Sequence, residues 1–192
     1  MRALRSGRCG RMAPVLFGFF LIANVKVKAD GSGKMTIVHP AAPITTIEIE
    51  RQRYISPVSE PTWLEIRKGI AMARVRFRDV GRLSEAPELA AMKLELRPAN
   101  DGLTRFTGLV RSTIVGDVAS DRDAVIRITL PGTVVSTNAE RVEGSSMTWT
   151  KPVKQFFTSE GITLEASFKG RRPAATVAGA ASGEPVTLGR TS

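Results

Sequence analysis

The sequence holds one cysteine and one histidine in 192 residues. Cys9 therefore cannot form an intramolecular disulfide, and no cysteine-based zinc site can be assembled. With His39 as the only imidazole, a transition-metal centre is not expected either. A Ser-His-Asp catalyst would have to use His39, which stands beside Pro40, and no G-x-S-x-G nucleophile elbow accompanies it. Phosphate-cradling motifs such as G-x-x-x-x-G-K-[ST] are also missing. These absences point to a binding protein without a cofactor rather than to an enzyme. A hydrolase with an unrecognised site is the third-ranked alternative.

Long apolar runs are equally scarce. The longest, residues 12–23 (MAPVLFGFFLIA), falls short of the roughly 20 residues a membrane span needs. It follows a basic segment with Arg2, Arg5, Arg8 and Arg11, which is the order of a secretory signal. Residues 1–24 are accordingly read as a signal peptide or N-terminal membrane anchor. Leu21-Ile22-Ala23 has the shape of a bacterial lipobox, but Asn24 stands where the lipid-bearing thiol would be. The carboxamide of Asn24 cannot form a thioether, so the chain is expected to be exported without lipidation. Cleavage after Ala23 or after Ala29 satisfies the small-residue rule.

The net charge of +10 is unevenly spread. Nine basic residues lie in the first 28 residues and in the tail from Arg171, against one acid there, Glu184. From Asp30 to Gly170 there are 19 basic and 17 acidic residues. A nucleic-acid binder concentrates positive charge on its folded domain. No nucleic-acid partner is therefore expected, and a protein partner is unknown.

Residues 25–170 read as one mainly β domain of the α+β class, an antiparallel sheet of hairpins with one short helix or loop region. Val25 to Val38 has period two on both sides of Asp30-Gly31-Ser32-Gly33, a hairpin. Prolines at 40, 43, 57 and 61 break the next stretch, in which Thr46–Glu50 alternates like a strand, with Glu48 and Glu50 on one solvated face. Ala71, Ala73, Val75 and Phe77 face one way along a further strand. Arg74, Arg76 and Arg78 face the other and form a basic stripe about 13 Å long. These three arginines are the candidate contacts for an anionic ligand such as a lipid phosphate, with Asp79 and Glu85 as alternative ionic partners. Leu83–Ala91 suggests a short helix capped by Ser84. Strands follow at Met92–Leu96, Thr104–Val110 and Ala124–Leu130. Val134-Val135 and Met147–Thr150 flank a polar turn, and the last strand is Ile162–Phe168. Asp117, Asp121 and Asp123 read as a polar turn rather than a calcium loop. Residues 171–192, rich in Ala, Gly, Thr, Pro and Ser, read as a flexible tail.

Arg127-Ile128-Thr129-Leu130-Pro131-Gly132-Thr133-Val134-Val135-Ser136-Thr137-Asn138, followed by Gly144 and Met147-Thr148-Trp149-Thr150, resembles the signature of LppM-like domains of bacterial envelope lipoproteins. The stretches VKVKADGSGKMTI and ARVRFRDVGRL are similar to that family's opening hairpin and central strand. The resemblance implies an envelope-associated domain with a lipid or other amphiphilic component as ligand. Pro131, Gly132, Asn138 and Trp149 are its structural signature. In physical terms Pro131-Gly132 ends a strand, Asn138 suits a turn with left-handed backbone, and Trp149 belongs in the core. The chain departs from the family at Asn24 and in the proline-broken stretch 40–61, which takes the place of the family's early helix. An assembly module that offers sheet edges to partners is the second-ranked function.

Overall fold

Alternating apolar and polar residues recur in strand after strand, and each strand buries one face and exposes the other. The computed structural model describes residues 20–42, 44–112 and 121–170. Eleven strands run through them: β1 (Ile22–Val27), β2 (Gly33–Pro40), β3 (Ser59–Arg67), β4 (Ile70–Phe77), β5 (Met92–Pro98), β6 (Thr104–Val110), β7 (Asp123–Thr129), β8 (Gly132–Thr137), β9 (Arg141–Glu143), β10 (Ser146–Pro152) and β11 (Ile162–Gly170). They form a seven-stranded sheet in the order β3-β4-β2-β1-β7-β10-β9 and a four-stranded sheet in the order β5-β6-β11-β8. One hydrophobic core joins the two sheets, built from residues such as Val25, Ile37, Val75, Ile126 and Trp149 of the larger and Leu94, Phe106, Leu164 and Phe168 of the smaller.

The fold is mainly β, as the alternation implies, but it is not one antiparallel sheet. There are two sheets, and β1 pairs in parallel with β7, from Ile22 opposite Val125 to Lys26 opposite Thr129. The expected hairpin of Val134-Val135 with Met147–Thr150 does not form. β8 pairs with β11 in the smaller sheet, whereas β10 pairs with β7 and β9 in the larger. Pro131-Gly132 is the place where the chain leaves one sheet for the other. A Cβ on Gly132 would lie 2.4 Å from the Lys169 carbonyl oxygen, so only glycine permits this close approach of β8 to β11.

Three local readings are corrected. Thr46–Glu50 is not a strand: α1 spans Ile47–Gln52, with Thr46 as its N-cap accepting from the Ile49 N–H at 3.3 Å. A capping threonine with Glu48 and Glu50 in the first turn favours a helix start, and this outweighs five residues of alternation. The stretch after Pro40 therefore does carry a short helix. Between β4 and β5 the expected helix is two 3-10 turns, Val80–Glu85 and Pro87–Leu89, and Asp79 rather than Ser84 caps the first. Finally, β1 begins at Ile22 and not at Val25, so it draws on the end of the apolar run. Phe20 is buried and meets Phe156 edge-on at 5.1 Å between ring centroids. Cys9, the basic segment and residues 171–192 lie outside the described residues, as does Asp117, while Asp123 opens β7. No helix among the described residues is long and apolar enough to cross a membrane.

Candidate functional site

The outer face of the larger sheet is built by register. Two residues along a strand return to the same face, so directly opposed residues on neighbouring strands make rows across it. One row reads Arg76 on β4, Lys34 on β2 and Lys26 on β1, each opposite the next. The adjacent row reads Arg74, Thr36, Asn24 and Arg127, the last on β7. The row beyond it reads Met72, Val38, Ile22 and Val125. The first two rows place five cations on four neighbouring strands, and all five are exposed. The third is an apolar strip about 14 Å long, half-buried except for Ile22 at 38 % exposure.

The cations differ in what holds them. Arg74 lies over the Trp63 ring at 5.2 Å, and Trp63 is itself 36 % exposed. Arg127 Nε donates to Thr148 Oγ1 at 3.3 Å. Arg76 reaches Glu60 only at 3.9 Å, with both side chains largely in solvent, a pairing worth little. Among the described residues Lys26 and Lys34 form no salt bridge. A cleft of about 480 Å³ opens over these rows, lined by Lys26, Lys34, Arg74, Arg76 and Arg127 among others.

Of the arginine stripe, Arg74 and Arg76 line this cleft; Arg78 lies one residue past the end of β4. The acids expected to neutralise the stripe do other work. Asp79 accepts from the Gly81 N–H at 2.8 Å, and Glu85 pairs with Arg82. The sequence placed Lys26 in the opening hairpin without a role and did not single out Lys34 or Arg127. The alternation around each was visible, but the parallel β1–β7 pairing that makes them neighbours was not.

A second polar cluster is buried at the end of β2. His39 is 2 % exposed, Glu50 on α1 is fully buried, and Glu88 in the second 3-10 turn is 5 % exposed. His39 Nε2 lies 2.6 Å from Tyr54 Oη and 3.0 Å from Glu50 Oε1; Nδ1 lies 2.9 Å from the Pro40 carbonyl oxygen and 3.5 Å from Glu88 Oε1. Arg53 contacts both acids, Glu50 Oε2 at 3.0 Å and Glu88 Oε2. One ligand atom from each of His39, Glu50 and Glu88 can be chosen within 4.8 Å of the others, the spacing of a candidate metal site. Burial disfavours the charged imidazole, but the Glu50 and Glu88 carboxylates outweigh it and raise the His39 pKa above the usual value. Burial raises that of Glu88. For Glu50, burial is overcome by His39 and Arg53, which hold it below the usual carboxylate range. Burial and the two acids push Tyr54 further up, so it keeps its O–H.

Comparison with known proteins agrees with this architecture. Residues 65–161 match the LppM domain. The chain belongs to the LppM domain family. The folded domain of Mycobacterium tuberculosis LppM, solved by NMR, has a similar fold, with a TM-score of 0.51 and 17 % identity over 84 % of this chain and 96 % of that one. No curated protein matches the sequence.

Within this LppM domain the signature residues are structural. Trp149 is fully buried, as expected. Its Nε1 donates to Asn138 Oδ1 at 2.8 Å. The same oxygen accepts from the Glu165 N–H at 2.8 Å, and Asn138 Nδ2 donates to the Thr163 carbonyl at 3.1 Å. Asn138 is thus not a left-handed turn residue: among the described non-glycine residues only Lys68 has positive φ. It ties β11 of the smaller sheet to β10 of the larger.

Proposed function

We propose that this LppM-family protein is an exported envelope component that binds anionic amphiphiles on the outer face of its larger sheet, without catalysis. The observation that carries the reading is the row Arg76, Lys34, Lys26, three cations directly opposed on adjacent strands. Like charges in that arrangement destabilise a sheet. Two such charges about 5 Å apart repel by about 0.8 kcal/mol in water, before screening by salt. A phosphate seated over the row turns that repulsion into attraction through charge-assisted hydrogen bonds. The apolar strip of Met72, Val38, Ile22 and Val125, two rows away, supplies a surface for an acyl chain. A nucleic acid has no use for such a strip, so the pairing of basic rows with an apolar one favours an amphiphile.

The test uses Trp63 as reporter, since it lies beside Arg74 and is partly exposed, whereas Trp149 is buried. The full chain is titrated with dodecyl phosphate, dodecyl maltoside and a short oligonucleotide, the detergents below their micelle concentrations. Dodecyl phosphate is expected to shift the emission, with affinity falling as salt rises. The signal should vanish in Trp63→Phe. Affinity should fall at least about tenfold when Lys26, Lys34 and Arg76 are all changed to Gln, a loss of about 1.4 kcal/mol. Equal binding by the triple variant, or equal binding of the maltoside, refutes the reading. Binding of the oligonucleotide alone replaces it with a nucleic-acid partner.

A further inference from the structure

The buried cluster at the end of β2 has a charge to balance. Glu50 and Glu88 bring two carboxylates and Arg53 one guanidinium, so one negative charge remains in a nearly solvent-free site. Leaving a buried charge uncompensated is costly. The His39 ring lies between the two acids and is the group placed to take the balancing proton. Pro40 offers only a carbonyl to Nδ1, so Nδ1 carries hydrogen. Nε2 lies 2.6 Å from the Tyr54 hydroxyl, which can donate or accept, and 3.0 Å from Glu50 Oε1, whose charge favours a hydrogen on Nε2 as well. A ring that donates from both nitrogens is an imidazolium. With the Nε2 hydrogen directed to Tyr54 Oη, the contact of the ring with buried Glu50 Oε1 is ionic, without an aligned hydrogen bond.

A metal ion fits less well than a proton. The two acids stand against different ring nitrogens, Glu50 at Nε2 and Glu88 at Nδ1. Arg53 already lies against both acids, and its charge would oppose a second cation among them.

The cluster also accounts for how the 44–58 segment is attached. Glu50 is the only buried residue of α1, while Ile47 and Ile49 are 44 % and 55 % exposed. A six-residue helix has no stability of its own, and this one lacks an apolar anchor. It is fastened by His39 to Glu50, by Arg53 to Glu88, by buried Tyr54, and by the Glu88 N–H donating to the Arg53 carbonyl at 2.9 Å.

We propose that His39 is a proton-holding latch: its imidazolium fastens the 44–58 segment and the second 3-10 turn to the end of β2, and loss of that proton releases them. The groups facing the ring are Glu50 from α1, Arg53 and Tyr54 from the residues after it, and Glu88 from the 3-10 turn. The sign follows from linkage. The closed state keeps the proton above the pH at which a free imidazole loses it, near 6.5. Stability of the closed segment is therefore complete below about pH 6.5 and falls as pH rises toward the ring's own midpoint, by about tenfold in the opening equilibrium per pH unit.

His39 is the only histidine, so its ring NMR signal in the full chain is unambiguous. The ring is expected to be protonated at pH 7 and to titrate above 6.5. Hydrogen exchange at the Tyr54 and Glu88 amides should show opening that grows about tenfold per pH unit across that window, corrected for intrinsic exchange. The Ile126 amide, in the centre of the larger sheet, should show no such dependence. In His39→Gln the segment should be open at every pH. Stoichiometric Zn²⁺ or EDTA should leave the ring signal unmoved. A neutral ring at pH 7, titration without a change in exchange, or a ring signal displaced by stoichiometric Zn²⁺ would each overturn the latch, the last in favour of a metal site.

Discussion

Removal of the Trp149 side chain should damage this fold more than any other single truncation on its signature. The indole is fully buried in the core, and its N–H ends on Asn138, a residue otherwise bonded to β11. Trp149→Ala loses both the ring and that tie between sheets, at about 3–5 kcal/mol. For a chain of this size that is a fall of about 6–20 °C in Tm. Asn138→Ala keeps the ring but leaves the indole N–H buried without an acceptor. Water can reach the Thr163 carbonyl and Glu165 N–H, so the cost is about 1–2 kcal/mol. Trp149→Phe keeps most of the packing and removes the donor itself, again at about 1–2 kcal/mol. The double variant Trp149→Phe/Asn138→Ala should then cost about 1 kcal/mol less than the sum, because the orphaned N–H no longer exists. Urea midpoints at constant m-value measure all four proteins. A Trp149→Ala protein that melts within a degree or two of the parent would refute the burial argument. Strict additivity in the cycle would refute the clasp.

Gly132→Ala should destabilise by about 1–3 kcal/mol, since its Cβ would lie 2.4 Å from the Lys169 carbonyl oxygen; a thermal melt equal to the parent's would show that the sheet crossing has slack. Lys34→Thr removes one of three opposed cations and should leave stability unchanged or raised by a few tenths of a kcal/mol, while weakening dodecyl phosphate binding; a clear loss of stability would make Lys34 a structural residue. A chain beginning at Asn24 loses buried Phe20 and Ala23 together with the start of β1, and should be less stable by at least about 2 kcal/mol than one beginning at Phe20. Equal melting of the two truncations would show that β1 does not need its first residues.

Much of this was legible in the sequence because strands that bury one face alternate with period two. Met92–Leu96 and Ile162–Phe168 lie in strands, and Ala124–Leu130 runs along one that ends at Thr129, with their apolar residues inward. The misreadings of strand pairing share a cause, which is that local pattern does not encode partner choice. Val134 and Met147 flank a polar turn, as hairpin strands do, yet one pairs with β11's sheet and the other with β7. The β1–β7 pairing joins residues about a hundred positions apart in parallel, and no turn chemistry announces it. The buried cluster escaped notice for another reason. Glu48 and Glu50 look alike in sequence, but on a helix they point about 200° apart, so one meets solvent and the other meets His39.

The outer face of the larger sheet carries charges that the fold does not require. Residues that point outward from β1, β2 and β4 can change without disturbing Val25, Met35 or Val75 beneath them, because alternate residues face opposite ways. Arg74 gains from Trp63 and Arg127 from Thr148, so the sheet itself gives each a reason to be there. The row of Arg76, Lys34 and Lys26 has no such reason. Its one acid, Glu60, sits 3.9 Å from Arg76 in solvent, and the remaining interactions along the row are repulsive. Threonine at any of the three would relieve that repulsion and suit a strand better than lysine does. Three cations held in opposition where folding would favour their replacement are the feature that the proposed anionic ligand would balance.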